Sequence, residues 1–126
     1  MKEDIQKLLE KSSHAIHAAE VLLREGEFDS AAGRAYYAMF YIAEALLYQK
    51  GIGSLHKHSA VHSEFGKQFS KTLIFDVKFH RWLIDAFDKR IQGDYNIESF
   101  MTEEDVTEMI QQAKEFLIQA NQYLAR

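Results

Sequence analysis

The sequence contains no cysteine and no proline, and only 6 of its 126 residues are glycine. Without cysteine there can be no disulfide, no thiolate nucleophile and no Cys-ligated zinc or iron–sulfur centre, although the redox compartment is left open. Without proline, and with so few glycines, the chain lacks the usual breakers of regular backbone. Set against 47% hydrophobic residues, this predicts long uninterrupted helices and an all-α class. Long apolar runs are missing too. The uncharged run Ala35–Ala43 has nine residues, whereas a membrane span needs about 20. Charges recur every few residues through the N-terminal MKEDIQKLLEKSS, where a signal peptide would be apolar. The expectation is one cytoplasmic helical domain over residues 1–126, with no membrane contact. P-loop, G-x-G-x-x-G and G-x-S-x-G signatures are also absent, which removes the common nucleotide-binding and hydrolase motifs.

What is present is organised around Ala31–Lys50, which between Ala35 and Tyr48 carries the single charge Glu44. A helix apolar on nearly every side belongs at the centre of a bundle. Before it, Ile5, Leu8, Leu9, Ala15, Ile16, Ala19, Leu22 and Leu23 recur at three-and-four spacing and predict an amphipathic helix from Lys2 to about Glu25. Glu3–Lys7 and Glu20–Arg24 fall at i,i+4 spacing on it. Gly26 ends this helix, and Asp29 or Ser30 is the expected N-cap of the next. After the Gly51-Ile52-Gly53-Ser54 loop, Val61, Phe65 and Phe69 predict a short helix over His58–Ser70. Gly66 weakens it by about 1 kcal/mol relative to alanine. Phe79, Leu83, Ala86, Phe87 and Ile91 mark a fourth helix, expected to unwind at Gly93. Thr102 caps a fifth whose stripe is Val106, Met109, Ile110, Ala113, Leu117, Ala120 and Leu124. The expected architecture is an up-and-down antiparallel bundle of four main helices and one short one.

The formal net charge of −4 is unevenly distributed: −2 over residues 1–55, +3 over 56–90 and −5 over 91–126. The middle stretch also holds four of the six histidines. An acidic protein is a poor non-specific DNA binder, but a local cationic patch can still receive phosphates. A solvated surface of mixed charge is the plainer reading of the same numbers.

Arg90 stands out because its spacing from Leu83, Ala86 and Phe87 puts it on the apolar side of the fourth helix. Either its stem packs while the guanidinium snorkels to the helix end, or it offers its fork of donors to an anion, with Asp94 and Tyr95 just beyond. Arg34 and Glu44 lie about 15 Å apart along the central helix and cannot pair with each other. Basic groups of the fourth helix, Arg90 included, are candidate partners of Glu44, as is solvent. Tyr36, Tyr37, Phe40, Tyr41 and Tyr48 read first as packing, within the chain or against a second copy, and otherwise as base-stacking platforms. His56, His58 and His62 could bind zinc or nickel, although a polar or phosphate-contacting role suits them better, and no cofactor is expected.

The run Ser30-Ala31-Ala32-Gly33-Arg34-Ala35-Tyr36-Tyr37-Ala38-Met39-Phe40, with Ala45-Leu46-Leu47, the Gly51 loop, His58, Phe65-Gly66, Phe69 and Arg90 to Tyr95, resembles the HEPN superfamily, and most closely its small UPF0332 branch. The resemblance spans roughly Ser30 to Leu124. It implies a helical bundle that forms a homodimer, metal-independent RNA cleavage, and pairing with a minimal nucleotidyltransferase in toxin–antitoxin modules. The superfamily motif, an arginine followed four to six residues later by a histidine, maps its arginine onto Arg90. Tyr95 stands where the histidine would be, and no histidine follows in the chain. Tyrosine, with an ordinary pKa of about 10, is a poor proton acceptor at neutral pH. On this resemblance the candidate catalytic residues are Arg90, Asp94 and Tyr95; the candidate phosphate- or RNA-binding residues are Arg34, Tyr37, Glu44 and His58. His58 and His80 are the imidazoles that could stand in for the missing one. A non-catalytic module that docks a nucleotidyltransferase is the alternative.

Overall fold

The computed structural model describes residues 2–98 and 100–126. Among these residues all regular structure is helical: α1 (Lys2–Arg24), α2 (Phe28–Gln49), α3 (His58–Phe65), α4 (Val77–Tyr95) and α5 (Glu103–Leu124). The expected all-α bundle is what forms. α2 is its hub, in contact with α1, α3, α4 and α5. Its buried residues, from Ala31 to Leu47, lie on nearly every side of the helix. The most extensive pairing is α1 with α2. α1 buries Ser12, Ala15, Ile16 and Ala19 and α2 is rich in alanine, so small side chains let the two backbones approach. Gly26, at φ +78°, reverses the chain between them, a conformation open to glycine without a Cβ penalty. Among the described residues no helix is long and apolar enough to cross a membrane.

An aromatic cluster closes the core on the side of α3, α4 and α5. Phe79 stacks on Phe116 with ring centroids 5.2 Å apart and planes at 24°, and Phe65 stacks on Phe69 at 5.4 Å. Phe116, absent from the stripe expected for α5, is fully buried, while Leu117 is only half-buried. The 3.6-residue period leaves neighbouring positions at the stripe's edge nearly equivalent, and the flat ring of Phe116 stacks on Phe79 and meets Phe65 edge-on.

Four local expectations change. The helical residues of α3 stop at Phe65, and Gly66–Ser70 continue as a π-helical turn. A Cβ on Gly66 would stand 2.7 Å from Nε2 of His80, and that nitrogen donates to the carbonyl of His62 at 3.0 Å. Glycine at this position therefore leaves room for the His80 imidazole of α4. α4 does not unwind at Gly93 but runs to Tyr95, so Asp94 lies one turn beyond Arg90 on the same helix. Neither Asp29 nor Ser30 caps α2, whose N-cap residue is Glu27. The Asp29 carboxylate instead accepts from the backbone N–H of Met101 at 3.0 Å and of Phe100 at 3.3 Å, a tertiary partner displacing a local one. Glu20 likewise reaches across to Lys114 Nζ at 2.7 Å rather than along α1 to Arg24. The start of α5 is as expected, with Thr102 and Asp105 forming a reciprocal capping box.

Candidate functional site

α2 and α4 pack side by side and place two arginines on one tyrosine. Arg34 and Tyr37 are neighbours at i,i+3 on α2. The guanidinium carbon of Arg34 lies 5.0 Å from the Tyr37 ring centroid, and that of Arg90, on α4, lies 5.1 Å from the same centroid. The negative π-face of a tyrosine attracts a cation by roughly 0.5–1 kcal/mol at an exposed site, which holds both side chains here despite their mutual repulsion. Arg90 also meets Asp94, Nε to Oδ2 at 3.4 Å, with the Asp94 side chain 53% exposed. An exposed i,i+4 pair of this kind contributes about 0.3–0.5 kcal/mol. Among the described residues Arg34 has no carboxylate partner. Asp29 borders the same cleft, but its carboxylate is engaged by the backbone N–H groups of Phe100 and Met101, so the two guanidinium groups keep unused N–H donors.

These side chains line an open cleft of about 310 Å³ that is completed by Leu22 of α1 and by Asp29, Ser30 and Gly33 of α2. Gly33 is an interior glycine of α2, and a Cβ there would find only Cγ of Arg90, at 4.0 Å. No steric requirement demands glycine. Its effect is to leave the cleft floor open beside Arg90.

A second cluster also borders the Tyr37 ring. His58, the first residue of α3, meets Tyr37 edge-on at 5.6 Å and stacks on Phe40 at 4.3 Å with planes 18° apart. Its Nδ1 is 2.6 Å from the hydroxyl of Tyr36, and Nε2 of His62 is 2.8 Å from the same hydroxyl. A hydroxyl has one proton, so it donates to one imidazole and accepts an N–H from the other. Tyr36 is fully buried and His62 is 5% exposed. Burial, then the charges of His58 and His80, push His62 down to about 4. Burial lowers His58 as well, with Arg90 as the second cause. Tyr36 is shifted upward, first by burial, then by Tyr37, with Arg90 opposing. All three groups are therefore neutral at pH 7.

The sequence candidates thus divide. Arg34, Tyr37, Arg90 and Asp94 converge on one cleft, and His58 shares the Tyr37 ring with them. Tyr95 does not line the cleft; it is 80% exposed and borders a separate hollow with Asn96, Ile97, Glu98 and Phe100. Glu44 pairs with neither Arg90 nor any other cation among the described residues. It sits half-buried beside the Gly53–Leu55 loop, and burial raises its pKa while Lys11 opposes the shift. His58 and His62 do share a face, but their nitrogens converge on Tyr36, and among the described residues no three His, Asp or Glu side chains are placed to hold a metal ion. The Tyr36 hydroxyl, the junction of this cluster, reads in sequence only as one more core aromatic. The His58–His62 spacing signals a shared face without naming what lies 22 and 26 residues upstream.

An all-α bundle with an arginine-lined cleft between its second and fourth helices defines a class, and comparison with known proteins identifies the family. The HEPN domain model matches residues 5–122. The protein "UPF0332 protein glr0978" of Gloeobacter violaceus is 35% identical over 100% of this chain and 100% of its own. A UPF0332 protein of Thermotoga maritima is also 35% identical, over 85% of this chain and 80% of its own. The Methanocaldococcus jannaschii protein named "Putative toxin MJ0142" is 33% identical over 98% of this chain and 83% of its own. The chain belongs to the HEPN domain family and has UPF0332 proteins among its relatives.

Proposed function

We propose that this chain is a toxin-like HEPN protein whose Arg34–Tyr37–Arg90 cleft holds a backbone phosphate of RNA, and that it cleaves the strand through the ribose 2′-hydroxyl without a metal. The observation that carries this reading is the pair of guanidinium groups gathered at one tyrosine ring, with Asp94 as their one ion-pair partner among the described residues. Arginine presents a planar fork of donors matched to phosphate oxygens. An anion between the two would relieve their repulsion and use the idle N–H groups. The toxin name of a relative aligned over almost the whole chain supports the same reading. The protein acts as a cytoplasmic homodimer of one-domain chains, paired with a minimal nucleotidyltransferase.

The test is incubation of purified protein with single-stranded RNA in the presence of a chelator. Cleavage is expected for the wild type and lost in Arg90→Ala. Cleavage that survives Arg90→Ala would overturn the assignment.

A second reading, a non-catalytic module that docks a nucleotidyltransferase, is favoured by one observation. Tyr95, Ile97 and Phe100, beside the cleft, are 80%, 104% and 43% exposed. RNA left intact under all conditions, together with a stable complex with a nucleotidyltransferase, would select it.

A further inference from the structure

We infer that His58 is the proton acceptor of this site, held by Tyr36 and His62 in the tautomer that leaves its Nε2 free for the 2′-hydroxyl of an RNA whose phosphate lies on Arg90. The inference rests on the RNA-cleavage reading above and supplies the group which that reading lacks, since no histidine follows Arg90 in the chain. His58 and Arg90 flank one ring, that of Tyr37, at 5.6 Å and 5.1 Å from its centroid. The charge of Arg90 also acts on His58, so a nucleotide whose phosphate lies on Arg90 carries its ribose toward the imidazole.

The orientation of His58 is fixed from two sides. Stacking on Phe40 sets the plane of the ring, and the 2.6 Å contact of Nδ1 with the Tyr36 hydroxyl sets its rotation. Among the described residues Nε2 has no hydrogen-bond partner, and the residue is half-exposed. The single proton of Tyr36 decides the tautomer. When Tyr36 donates to Nε2 of His62, its oxygen accepts Nδ1–H of His58, and the lone pair of His58 is then on Nε2. His62, buried at 5% exposure, takes the accepting role in this assignment, which leaves the lone pair of the half-exposed His58 on its unpartnered nitrogen. His80, which donates to the backbone carbonyl of His62, holds the helix turn that carries it. The arrangement has the logic of a nucleophile–base–orienter chain, in which a third group fixes the tautomer of the base and stabilises its cation.

In the reaction, the 2′-oxygen forms a bond to phosphorus as its proton passes to Nε2 of His58. The bond from phosphorus to the 5′-oxygen breaks, and that oxygen leaves with the electron pair and takes a proton from water. His58 then returns its proton to the resulting hydroxide. The products are a 2′,3′-cyclic phosphate and a 5′-hydroxyl, with no water, metal or redox partner consumed. The imidazolium formed on the way donates Nδ1–H to Tyr36 without any rearrangement. The groups facing His58 are Tyr36 and Tyr37 on α2, Arg90 on α4 and His62 on its own helix. None is an acid that would hold the imidazolium in place, so the proton is readily given up.

The experiment uses the full chain and a fluorescein-labelled single-stranded RNA of mixed sequence, and reads cleavage and binding separately. For His58→Gln, cleavage should fall at least about 100-fold, the usual contribution of a positioned base, while the RNA dissociation constant and the melting temperature stay close to wild type. In His58→Ala, added imidazole should restore part of the rate, a rescue that a purely structural role would not show. Products should carry the cyclic phosphate, and a 2′-O-methyl RNA should remain intact. Cleavage by His58→Gln within about threefold of wild type would overturn the inference. So would a wild type that binds RNA through Arg90 without cleaving it, which leaves the binding part of the proposed function standing. A wild type that neither binds nor cleaves would remove the proposed function itself.

Discussion

The carboxylate of Asp29 accepts the backbone N–H of Met101 at 3.0 Å, joining the first turn of α2 to the chain that leaves α4. Its Cβ and Cγ also lie 3.5 Å from where a Cβ on Gly93 would stand, so one aspartate sets the spacing of the two helices whose arginines line the cleft. Hydrogen bonds to a charged acceptor are worth about 1.5–3 kcal/mol where buried, and less where half-exposed. Asp29→Ala should accordingly lower unfolding free energy by about 1–2 kcal/mol. In hydrogen exchange, the amides of Phe100 and Met101 should lose protection before the rest of the chain. Unchanged protection at these two amides would show that the carboxylate does not hold the loop.

Gly66 and His80 make a test whose sign depends on background. Replacing a helical glycine with alanine stabilises by about 0.5–1 kcal/mol when space allows. Here the new Cβ would press on the imidazole nitrogen that holds the His62 carbonyl. Gly66→Ala is expected to destabilise the wild type and to stabilise His80→Ala, as measured by urea denaturation of the four-member cycle. Equal effects in both backgrounds would refute the contact.

Much of the bundle was legible in the sequence because helix periodicity and breakers are local signals. α2 is recognisable from its uncharged faces, α1 from its regular stripe, and α5 from Thr102 and the acids that follow it. What was not legible depends on distant partners. Asp29 has the character of a cap in sequence and becomes a bridge only because Met101, 72 residues away, presents a free N–H. Gly93 signals a helix end, yet α4 continues through it. Arg90 was conspicuous as a charge on an apolar face, and so was Arg34 within the central helix. That both rest on Tyr37 follows from the way α4 lies against α2, which no spacing encodes. The Tyr36–His58–His62 cluster was visible only as separate aromatics and histidines.

Acid should unfold the protein through His62. Its folded pKa of about 4 lies below the unfolded value of 6.5, so between these values the unfolded chain binds more protons and stability rises with pH. The contribution of neutral His62 is complete above pH 6.5 and is lost as pH falls toward 4, by roughly 3 kcal/mol in all. His58, also lowered, acts in the same direction. Glu44, raised by burial, acts in the opposite one, because its protonated form is favoured in the fold. Asp105 is held below its ordinary 3.8 by the capping box, and its stability is lost only in stronger acid. Urea midpoints measured from pH 7.5 to 4.5 should fall steeply for the wild type and more gently for His62→Gln. Parallel slopes would exclude His62 as the cause.

Gly33→Ala separates stability from function. With the nearest atom, Cγ of Arg90, 4.0 Å from the added Cβ, the substitution should raise unfolding free energy by about 0.5–1 kcal/mol. The same methyl group stands on the floor of the cleft, so RNA affinity should fall. A loss of stability would mean that the two helices are packed more tightly at this point than the geometry indicates.

The cleft itself is tested most directly by RNA binding, read as fluorescence anisotropy of a labelled single strand across a salt series, for wild type, Arg34→Ala and Arg90→Ala. Each substitution is expected to weaken binding about tenfold or more at low salt and to make the dependence of log K on log salt shallower by roughly 0.7, the value for one lost contact to a single-strand phosphate. Both variants should keep the wild-type circular dichroism. Affinity and salt slope unchanged in Arg90→Ala would contradict a phosphate site at Arg90.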